Sequence, residues 1–284
     1  MTKSIGFVDY YISEWHANNY PAWFKQACLE LGYAYEVTYA WAEQAVSPVD
    51  GVSTDQWCAN MGVTRCDTIQ ELCQKSDAIV ILAPSNPEKH IEYAKAVLPF
   101  GKPTYMDKPF SDSAGDAKEI FNLAERYATP FFSSSALRYA TELDTVDACT
   151  AITTFGGGSN LEEYIIHQAE MVVKKMGLGA KAVKAEEIGK CQYFFTIQYA
   201  DARRAGMHFV KGGVPFVVTM SSGGSADAVY TTIGSDFFGF LIKDMLRFFE
   251  TKVPSFDTQQ TMEVNRIMVS AIKAKNVPGE WVPM

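Results

Sequence analysis

The clearest chemical signal in the sequence is a lysine that directly follows a strand-like segment. Lys102–Met106 is predicted to be a strand, and Asp107, Lys108 and Pro109 come after it. Pro109 disfavours helical geometry at Lys108. An ammonium fixed at a strand end can hydrogen-bond a reacting hydroxyl or carbonyl oxygen and move a proton, provided that its pKa falls from about 10.4 toward neutrality. The same pattern also fits a solvated Lys–Asp pair in a loop.

Two further segments follow strand-like runs in the same half of the chain. After Ser4–Asp9 come Tyr10 and Tyr11, and after the apolar run Ala78–Leu82 come Ala83, Pro84, Ser85 and, further on, His90. In an open parallel sheet, ligands bind outside the carboxyl ends of the strands. We therefore predict that these two segments and the Lys108 segment lie at the ligand-binding edge of one sheet.

Strands and helices are predicted to alternate in this half of the chain. The expected strands are Ser4–Asp9, Tyr35–Trp41, Ala78–Leu82, Lys102–Met106 and Phe131–Ser133, and the expected helices are Pro21–Leu31, Ile69–Lys75, Pro87–Leu98 and Ser113–Ala128. The first helix is placed at Pro21 because proline favours the first helical turn. This alternation predicts a doubly wound parallel sheet, a Rossmann-like α/β domain covering residues 1–138.

The second half, residues 139–284, is predicted to be an α+β domain on an open, mostly antiparallel sheet. The expected strands are Cys149–Thr154, Lys181–Glu187, Gln192–Tyr199, Gly206–Val210, Phe216–Ser221 and Ala228–Ile233, and the expected helices are Leu161–Met176, Phe237–Glu250 and Thr258–Ala274. The glycines at 156–158 are interpreted as a mobile loop before a helix. Aromatic and valine side chains in these strands predict a homodimer or homotetramer formed through this sheet, with Phe194, Phe195, Phe216, Val217 and Val218 as contacts.

One long stretch, residues 76–124, carries a series of motifs in a fixed order. They are Ala83-Pro84, His90, the alanines at 94 and 96, Gly101-Lys102, and Asp107-Lys108-Pro109. In this order they resemble the Gfo/Idh/MocA family of NAD(P)-dependent oxidoreductases, which includes glucose-fructose oxidoreductase and inositol dehydrogenase. The family usually has Glu at the position of Asp107. The resemblance implies a Rossmann domain, an open-sheet domain, and NAD or NADP as cofactor.

A second match to the family lies in the helix predicted at Leu161–Met176. Where family members carry Asp, Gly, His and Asp, this chain has Glu163, Ile165, His167 and Glu170. Glu163 and His167 are four residues apart, so they lie on one face of the helix. The resemblance implies that Lys108 and His167 are the acid/base candidates and that Glu163 orients the substrate or His167.

The glycine motif that holds the dinucleotide phosphates in this family is degenerate here. No glycine occurs between Gly6 and Gly32; Tyr10, Tyr11 and Ile12 fill the turn, and Asp9 stands near the place of the first glycine. An ionised Asp9 about 6 Å from a phosphate would oppose binding by about 3 kcal/mol at an effective dielectric of 20. The cofactor-binding candidates are Asp9, Tyr10, Tyr11, Glu43 (for the ribose hydroxyls), Ala83, Pro84, Ser85, His90, Asp107 and Lys108.

Charge, cysteines and histidines narrow the possible partners, cellular location and metal sites of this protein. The 284 residues carry 25 Lys+Arg and 33 Asp+Glu, a net charge of −8, which argues against nucleic acid or an anionic membrane as partner. The start has no signal-peptide pattern, and six scattered cysteines without a CxxC pair predict reduced thiols and a cytoplasmic protein. No two histidines lie four residues apart, so we expect no metal site.

Three functions remain open at this stage. The first is hydride transfer between a nicotinamide and a hydroxyl- or carbonyl-bearing carbon of a sugar, cyclitol or related polyol. The second is a cofactor-free ligand-binding or regulatory protein on the same fold, favoured by the missing glycines and by Asp9. The third keeps a tightly held nicotinamide for internal redox, with net epimerisation or elimination.

Overall fold

The computed structural model describes residues 1–147, 149–223 and 228–284. The chain forms two compact units, the first made of Met1–Ser133 and Gly239–Phe256, the second of Ser134–Phe238 and Asp257–Met284. The sequence-based division at residue 138 assigned the segment 239–256 to the second domain. This segment groups with the first unit because Phe248 and Phe249 pack on aromatic rings there, with ring centroids 4.7 Å from Phe132 and 6.3 Å from Phe24 respectively.

The first unit contains the predicted parallel sheet. Its strands are β1 (Lys3–Asp9), β2 (Tyr35–Ala42), β3 (Thr64–Arg65), β4 (Ala78–Ile81), β5 (Thr104–Met106) and β6 (Phe131–Ser133). Their order, β3-β2-β1-β4-β5-β6, is that of a Rossmann fold, and all pairs are parallel. The five helices between the strands are α1 (Trp15–Leu31), α2 (Thr54–Met61), α3 (Ile69–Lys75), α4 (His90–Val97) and α5 (Ala114–Arg126).

Helix α1 begins six residues earlier than predicted, at Trp15 rather than Pro21. The side chain of Glu14 caps it by accepting hydrogen bonds from the backbone N–H groups of His16 and Ala17. This cap starts the helix early enough that Pro21 lies inside it. The connection from β1 to α1 is therefore a short turn, residues 10–14, and not the segment 10–20 that a helix start at Pro21 implies.

The second unit is built on a mixed sheet. Its strands are β7 (Ala151–Gly158), β8 (Ala180–Gly189), β9 (Gln192–Tyr199), β10 (Arg204–Lys211), β11 (Val217–Ser221), β12 (Val229–Thr232) and β13 (Trp281–Pro283), in the order β12-β11-β7-β10-β9-β8-β13. Within this second sheet, β7 and β10 are the one parallel pair among the described residues, and the other pairs are antiparallel. The later helices of the chain are α6 (Leu161–Met176), α7 (Phe237–Thr251) and α8 (Gln259–Lys275). The predicted fold class is confirmed.

The glycines at 156–158 form the end of β7, so the prediction of a mobile loop is wrong. They pair with Phe209, Val210 and Lys211 of β10. A Cβ at Gly157 would lie 2.0 Å from the carbonyl oxygen of Val210. Glycine is therefore required here by the close approach of another backbone.

The residues predicted to contact another copy of the chain do not share one face of this sheet. Phe195 and Val218 are fully buried in the core of the unit, and the ring of Phe216 lies 5.7 Å from that of His167. Because side chains alternate along a strand, Phe194 and Val217 point to the opposite, partly exposed face. Of the five residues predicted to contact another copy, only Phe194 and Val217 remain candidates.

No helix among the described residues combines the length and the hydropathy that a membrane span requires.

Candidate functional site

The carboxyl edge of the parallel sheet brings together the three segments that the sequence singled out. Asp9 ends β1, Ala83 follows β4, and Asp107 follows β5. Asp9 Oδ1 accepts hydrogen bonds from the backbone N–H of Tyr10 at 2.7 Å and of Ala83 at 3.0 Å. Asp107 Oδ1 accepts from the N–H of Lys108 at 2.8 Å. Two carboxyl side chains therefore fix the backbone of the turns that a ligand at this edge would meet.

Two residues that the sequence analysis missed complete this group. His16, in the first turn of α1, contacts Asp107 Oδ2 through Nδ1. Glu14 Oε2 accepts from the N–H of His16 at 2.8 Å. Asp9, Glu14, His16 and Asp107, here called the acidic cluster, are all less than 10% exposed. Glu14 and His16 stand just before the apolar positions of the first predicted helix. Because that helix was predicted to begin at Pro21, they were not recognised as its cap and first turn.

Burial and mutual repulsion set the protonation of the acidic cluster. Burial raises the pKa of Asp9 well above its ordinary value, the carboxylates of Glu14 and Asp107 add to this, and the two N–H donors oppose it. Burial also raises the pKa of Glu14, against its hydrogen bonds and His16. Burial alone would raise the pKa of Asp107, but His16 and, more weakly, Lys108 lower it below its ordinary value. The cluster therefore favours a neutral Asp9 beside an ionised Asp107.

Glu43, proposed for ribose hydroxyls, lies where β2 ends and already has two partners. Its Oε1 is 2.9 Å from Lys89 Nζ, and Tyr93 donates its hydroxyl to Oε2 at 2.9 Å. The Lys89 ammonium also lies 5.7 Å from the ring centroid of Tyr10, whose ring is 6.0 Å from that of Tyr11. The backbone N–H of Glu43 donates to the carbonyl oxygen of Asp9 at 3.1 Å, so these polar and aromatic groups adjoin the acidic cluster.

In the segment after β4, most of the predicted site residues are buried. His90 is fully buried, with Nε2 2.6 Å from the carbonyl oxygen of Leu82 and Nδ1 3.0 Å from that of Phe110. Burial lowers its pKa. Pro84 is buried and Ser85 is exposed, so of this segment Ser85 is the side chain open to solvent. His90 therefore joins the end of β4 to the segment after Lys108.

In the second unit, His167 lies in a hydrogen-bonded group that includes residues outside its helix. Its Nδ1 is 2.6 Å from Ser135 Oγ, and the side chain is 7% exposed. The N–H of Ser135 donates to Glu170 Oε2 at 3.2 Å, and Arg138 Nη1 lies 2.7 Å from Glu170 Oε1. Glu170, matched to an acid of the family, thus holds a buried ion pair. Ser135 and Arg138 carried no sequence signal because only the fold brings them to α6.

Glu163 lies in the first turn of α6, and Asn160 caps the N-terminus of this helix. Asn160 Oδ1 accepts from the N–H of Glu163 at 2.8 Å, and Asn160 Nδ2 donates to Glu163 Oε1 at 3.0 Å. The first bond is a helix N-cap that satisfies one backbone donor of α6, and the second joins the two side chains. Glu163 therefore has a structural task in α6 besides the orienting role that the resemblance implies.

Among the described residues, no group of three or more His, Cys, Asp or Glu side chains is arranged to hold a metal ion.

A family model matches residues 15–134; its description is an oxidoreductase family with an NAD-binding Rossmann fold, GFO_IDH_MocA. The resemblance drawn from the sequence motifs is confirmed, and NAD or NADP is the cofactor class of this family. The matched range begins at Trp15, after the turn that replaces the glycine motif. No protein of curated function matches the sequence.

Several solved structures are similar over the whole chain. GenD2 from gentamicin A biosynthesis, in complex with NAD, has a TM-score of 0.76 at 12% identity, covering 100% of this chain and 96% of its own. UDP-N-acetylglucosamine 3-dehydrogenase GnnA from Acidithiobacillus ferrooxidans has a TM-score of 0.75 at 11% identity, covering 98% of both chains. A putative myo-inositol dehydrogenase from Sinorhizobium meliloti 1021 has a TM-score of 0.71 at 11% identity, covering 99% of both. At such identities the likeness establishes the fold.

The residues at the end of β1 do not fit the pyrophosphate of a dinucleotide held on the N-terminus of α1. Such a site needs free N–H groups in the first turn and glycines that let the ligand approach the backbone. Here the N–H groups of His16 and Ala17 are bonded to Glu14, and the turn carries Tyr10, Tyr11 and the buried Ile12. Glu43, which directly follows β2, pairs instead with Lys89 and Tyr93.

Proposed function

We propose that this chain is an NAD(P)-dependent oxidoreductase acting on CH–OH groups, because residues 15–134 match the model of the Gfo/Idh/MocA oxidoreductase family. The substrate that we propose is a sugar, cyclitol or related polyol, oxidised or reduced at a hydroxyl- or carbonyl-bearing carbon. The observation that carries the proposal is the Asp107-Lys108-Pro109 segment, which lies inside the matched range and at the carboxyl end of β5.

Lys108 is the residue proposed to exchange a proton with the substrate oxygen. Its backbone N–H is bonded to the buried Asp107 carboxylate at 2.8 Å, which fixes the start of its side chain. The side chain itself is half-exposed. A positioned general acid or base of this kind contributes typically 10²–10⁴-fold in rate.

His167 is the second candidate for proton exchange. Ser135 Oγ, 2.6 Å from Nδ1, fixes the orientation of the imidazole. Glu163 lies one helical turn before it on α6 and is proposed to orient the substrate or His167. The proposed substrate class is supported by two of the similar proteins, a UDP-N-acetylglucosamine 3-dehydrogenase and a putative myo-inositol dehydrogenase.

The first test measures whether the chain binds and turns over a nicotinamide dinucleotide. NADH and NADPH are titrated by fluorescence and calorimetry, and a panel of cyclitols, sugars and nucleotide sugars is then assayed with NAD and NADP. Lys108→Ala should lower kcat by about 10²–10⁴-fold in a variant that still binds the dinucleotide. Lys118→Ala, an exposed lysine on α5, is the matched control. Absence of binding at millimolar dinucleotide, or full turnover by Lys108→Ala, would refute the proposal.

The acidic cluster favours a second candidate, a cofactor-free ligand-binding or regulatory protein. In that case the chain would be stabilised against thermal unfolding by polyol-type ligands and not by dinucleotides. Turnover that depends on Lys108 would exclude this candidate.

We also propose that the chain forms a homodimer or homotetramer through the open face of the second sheet. Phe194 and Val217 lie on this face, together with Tyr230, which is 73% exposed. A monomeric mass in light scattering at working concentration would contradict this proposal.

A further inference from the structure

The N-terminus of α1 is occupied by an anion of the chain itself. A helix N-terminus attracts anions because its first N–H groups point outward without partners and the helix dipole is positive there. In this chain the Glu14 carboxylate accepts from the N–H groups of His16 and Ala17. Glu14 is only 8% exposed, so this carboxylate is removed from solvent along with the donors that it satisfies.

The turn before α1 leaves little room for a second anion. Glycines in this turn would let a phosphate approach the backbone. Instead, Ile12 is 1% exposed, and Tyr10 and Tyr11 are half-buried. The N–H of Glu14 is bonded to the carbonyl oxygen of Ile12 at 3.0 Å, which holds the turn in this shape.

The charges around the turn also oppose a phosphate. Burial raises the pKa of Asp9 and favours its neutral form, so the repulsion predicted from an ionised Asp9 is absent while it keeps its proton. The opposing charges come instead from Glu14, whose ionised form accepts two backbone donors, and from Asp107. His16 contacts the Asp107 carboxylate, and the positive charge of Lys108 also stabilises its ionised form.

We propose that Glu14 takes the place of a ligand phosphate on α1, so that a dinucleotide bound by this chain holds its pyrophosphate away from the first turn of that helix. This inference rests on the proposed function in that the ligand is NAD(H) or NADP(H). It assigns to Glu14 a role that sets the affinity and the position of the cofactor.

The test compares the full chain with two variants of Glu14. Glu14→Gly frees the N–H groups of His16 and Ala17 at a small cost to the helix, because glycine is an acceptable first cap. Glu14→Gln keeps the length of the side chain and removes its charge. Glu36→Gln is the control, since Glu36 is exposed and pairs with Ser4 at the opposite, amino end of the strands. NADH affinity is measured by calorimetry, and the backbone amide shifts of His16 and Ala17 are followed by NMR.

We expect Glu14→Gly to bind NADH about a hundredfold more tightly than the wild type, since one charge at about 6 Å is removed and the amides are freed. Its His16 and Ala17 amides should shift on saturation, whereas those of the wild type should not. Glu14→Gln should increase the NADH affinity by a smaller factor. If Glu14→Gly fails to fold, the NADH affinity of Glu14→Gln tests the inference instead.

The outcomes separate this inference from the proposed function. A wild type that binds NADH with shifts at His16 and Ala17, or Glu14 variants that bind equally or more weakly, would overturn the inference and leave the oxidoreductase proposal intact. A wild type that does not bind while the Glu14 variants do would support the inference and count against the proposed function. Failure of all forms to bind would overturn both.

Discussion

The neutral Asp9 carboxyl gives the sharpest test of the acidic cluster, through the substitution Asp9→Asn. Asp9 is 1% exposed; its Oδ1 accepts from two backbone N–H groups, and its Oδ2 finds no hydrogen-bond partner among the described residues. Asparagine has the same shape, and its Oδ1 can accept the same two bonds. The variant therefore removes ionisation while it keeps the geometry.

The expected effect is on the pH dependence of the free energy of unfolding. Because burial raises the pKa of Asp9 in the folded state, the folded chain holds a proton that the unfolded chain releases near pH 3.9. The stability from this group is complete below the unfolded pKa and is lost as pH rises through the folded pKa. The loss reaches up to about 1.4 kcal/mol per pH unit within that window. The Asn variant has no such loss, so its stability relative to the wild type should rise with pH.

Urea unfolding of both proteins, followed by tryptophan fluorescence between pH 5 and pH 8 in unit steps, measures this difference. Glu14 also has a raised pKa and lowers stability with pH in both proteins, so its contribution largely cancels in the comparison. Asp112→Asn, at an exposed aspartate, should run parallel to the wild type. If Asp9→Asn also runs parallel to the wild type over this range, Asp9 is ionised in the folded chain and our description of the cluster is wrong.

Two substitutions test the second unit. Arg138→Met should lower the free energy of unfolding by about 3–5 kcal/mol, because Glu170 would remain buried without its cation. Adding Glu170→Leu should restore much of the lost stability. An unchanged urea midpoint for Arg138→Met alone would contradict the buried ion pair. Gly157→Ala should cost about 1–3 kcal/mol or more, because its Cβ would meet the Val210 carbonyl oxygen of the neighbouring strand; a wild-type melting temperature would show that this backbone can move apart.

Much of the first unit could be predicted from the sequence because its signals are local. The run Ala78–Leu82 is apolar without interruption, which marks a strand covered on both faces, and β4 is fully buried. The rule that ligands meet the carboxyl ends of parallel strands then placed Asp9, Ala83 and Asp107 at one edge. The structure joins the first two by a hydrogen bond of 3.0 Å.

The start of α1 shows where local signals compete. Proline favours the first turn of a helix, and this placed the predicted start at Pro21. Glu14 provides a stronger start, since its carboxylate satisfies two backbone donors and is buried with them. The sequence contains both signals, and packing of the first turn against the sheet decides between them.

The sequence alone determined the alternation of elements, the strand-end positions and the Asp107-Lys108-Pro109 motif, because each depends on residues within a few positions of one another. The tertiary structure decided which side chains from distant positions share one buried environment. Asp9 and Asp107 are 98 positions apart, yet the Asp107 carboxylate raises the pKa of Asp9 and also that of Glu14. Burial and charge interaction depend on distances in space, and these arise only when the strands pair and the helix closes over their ends.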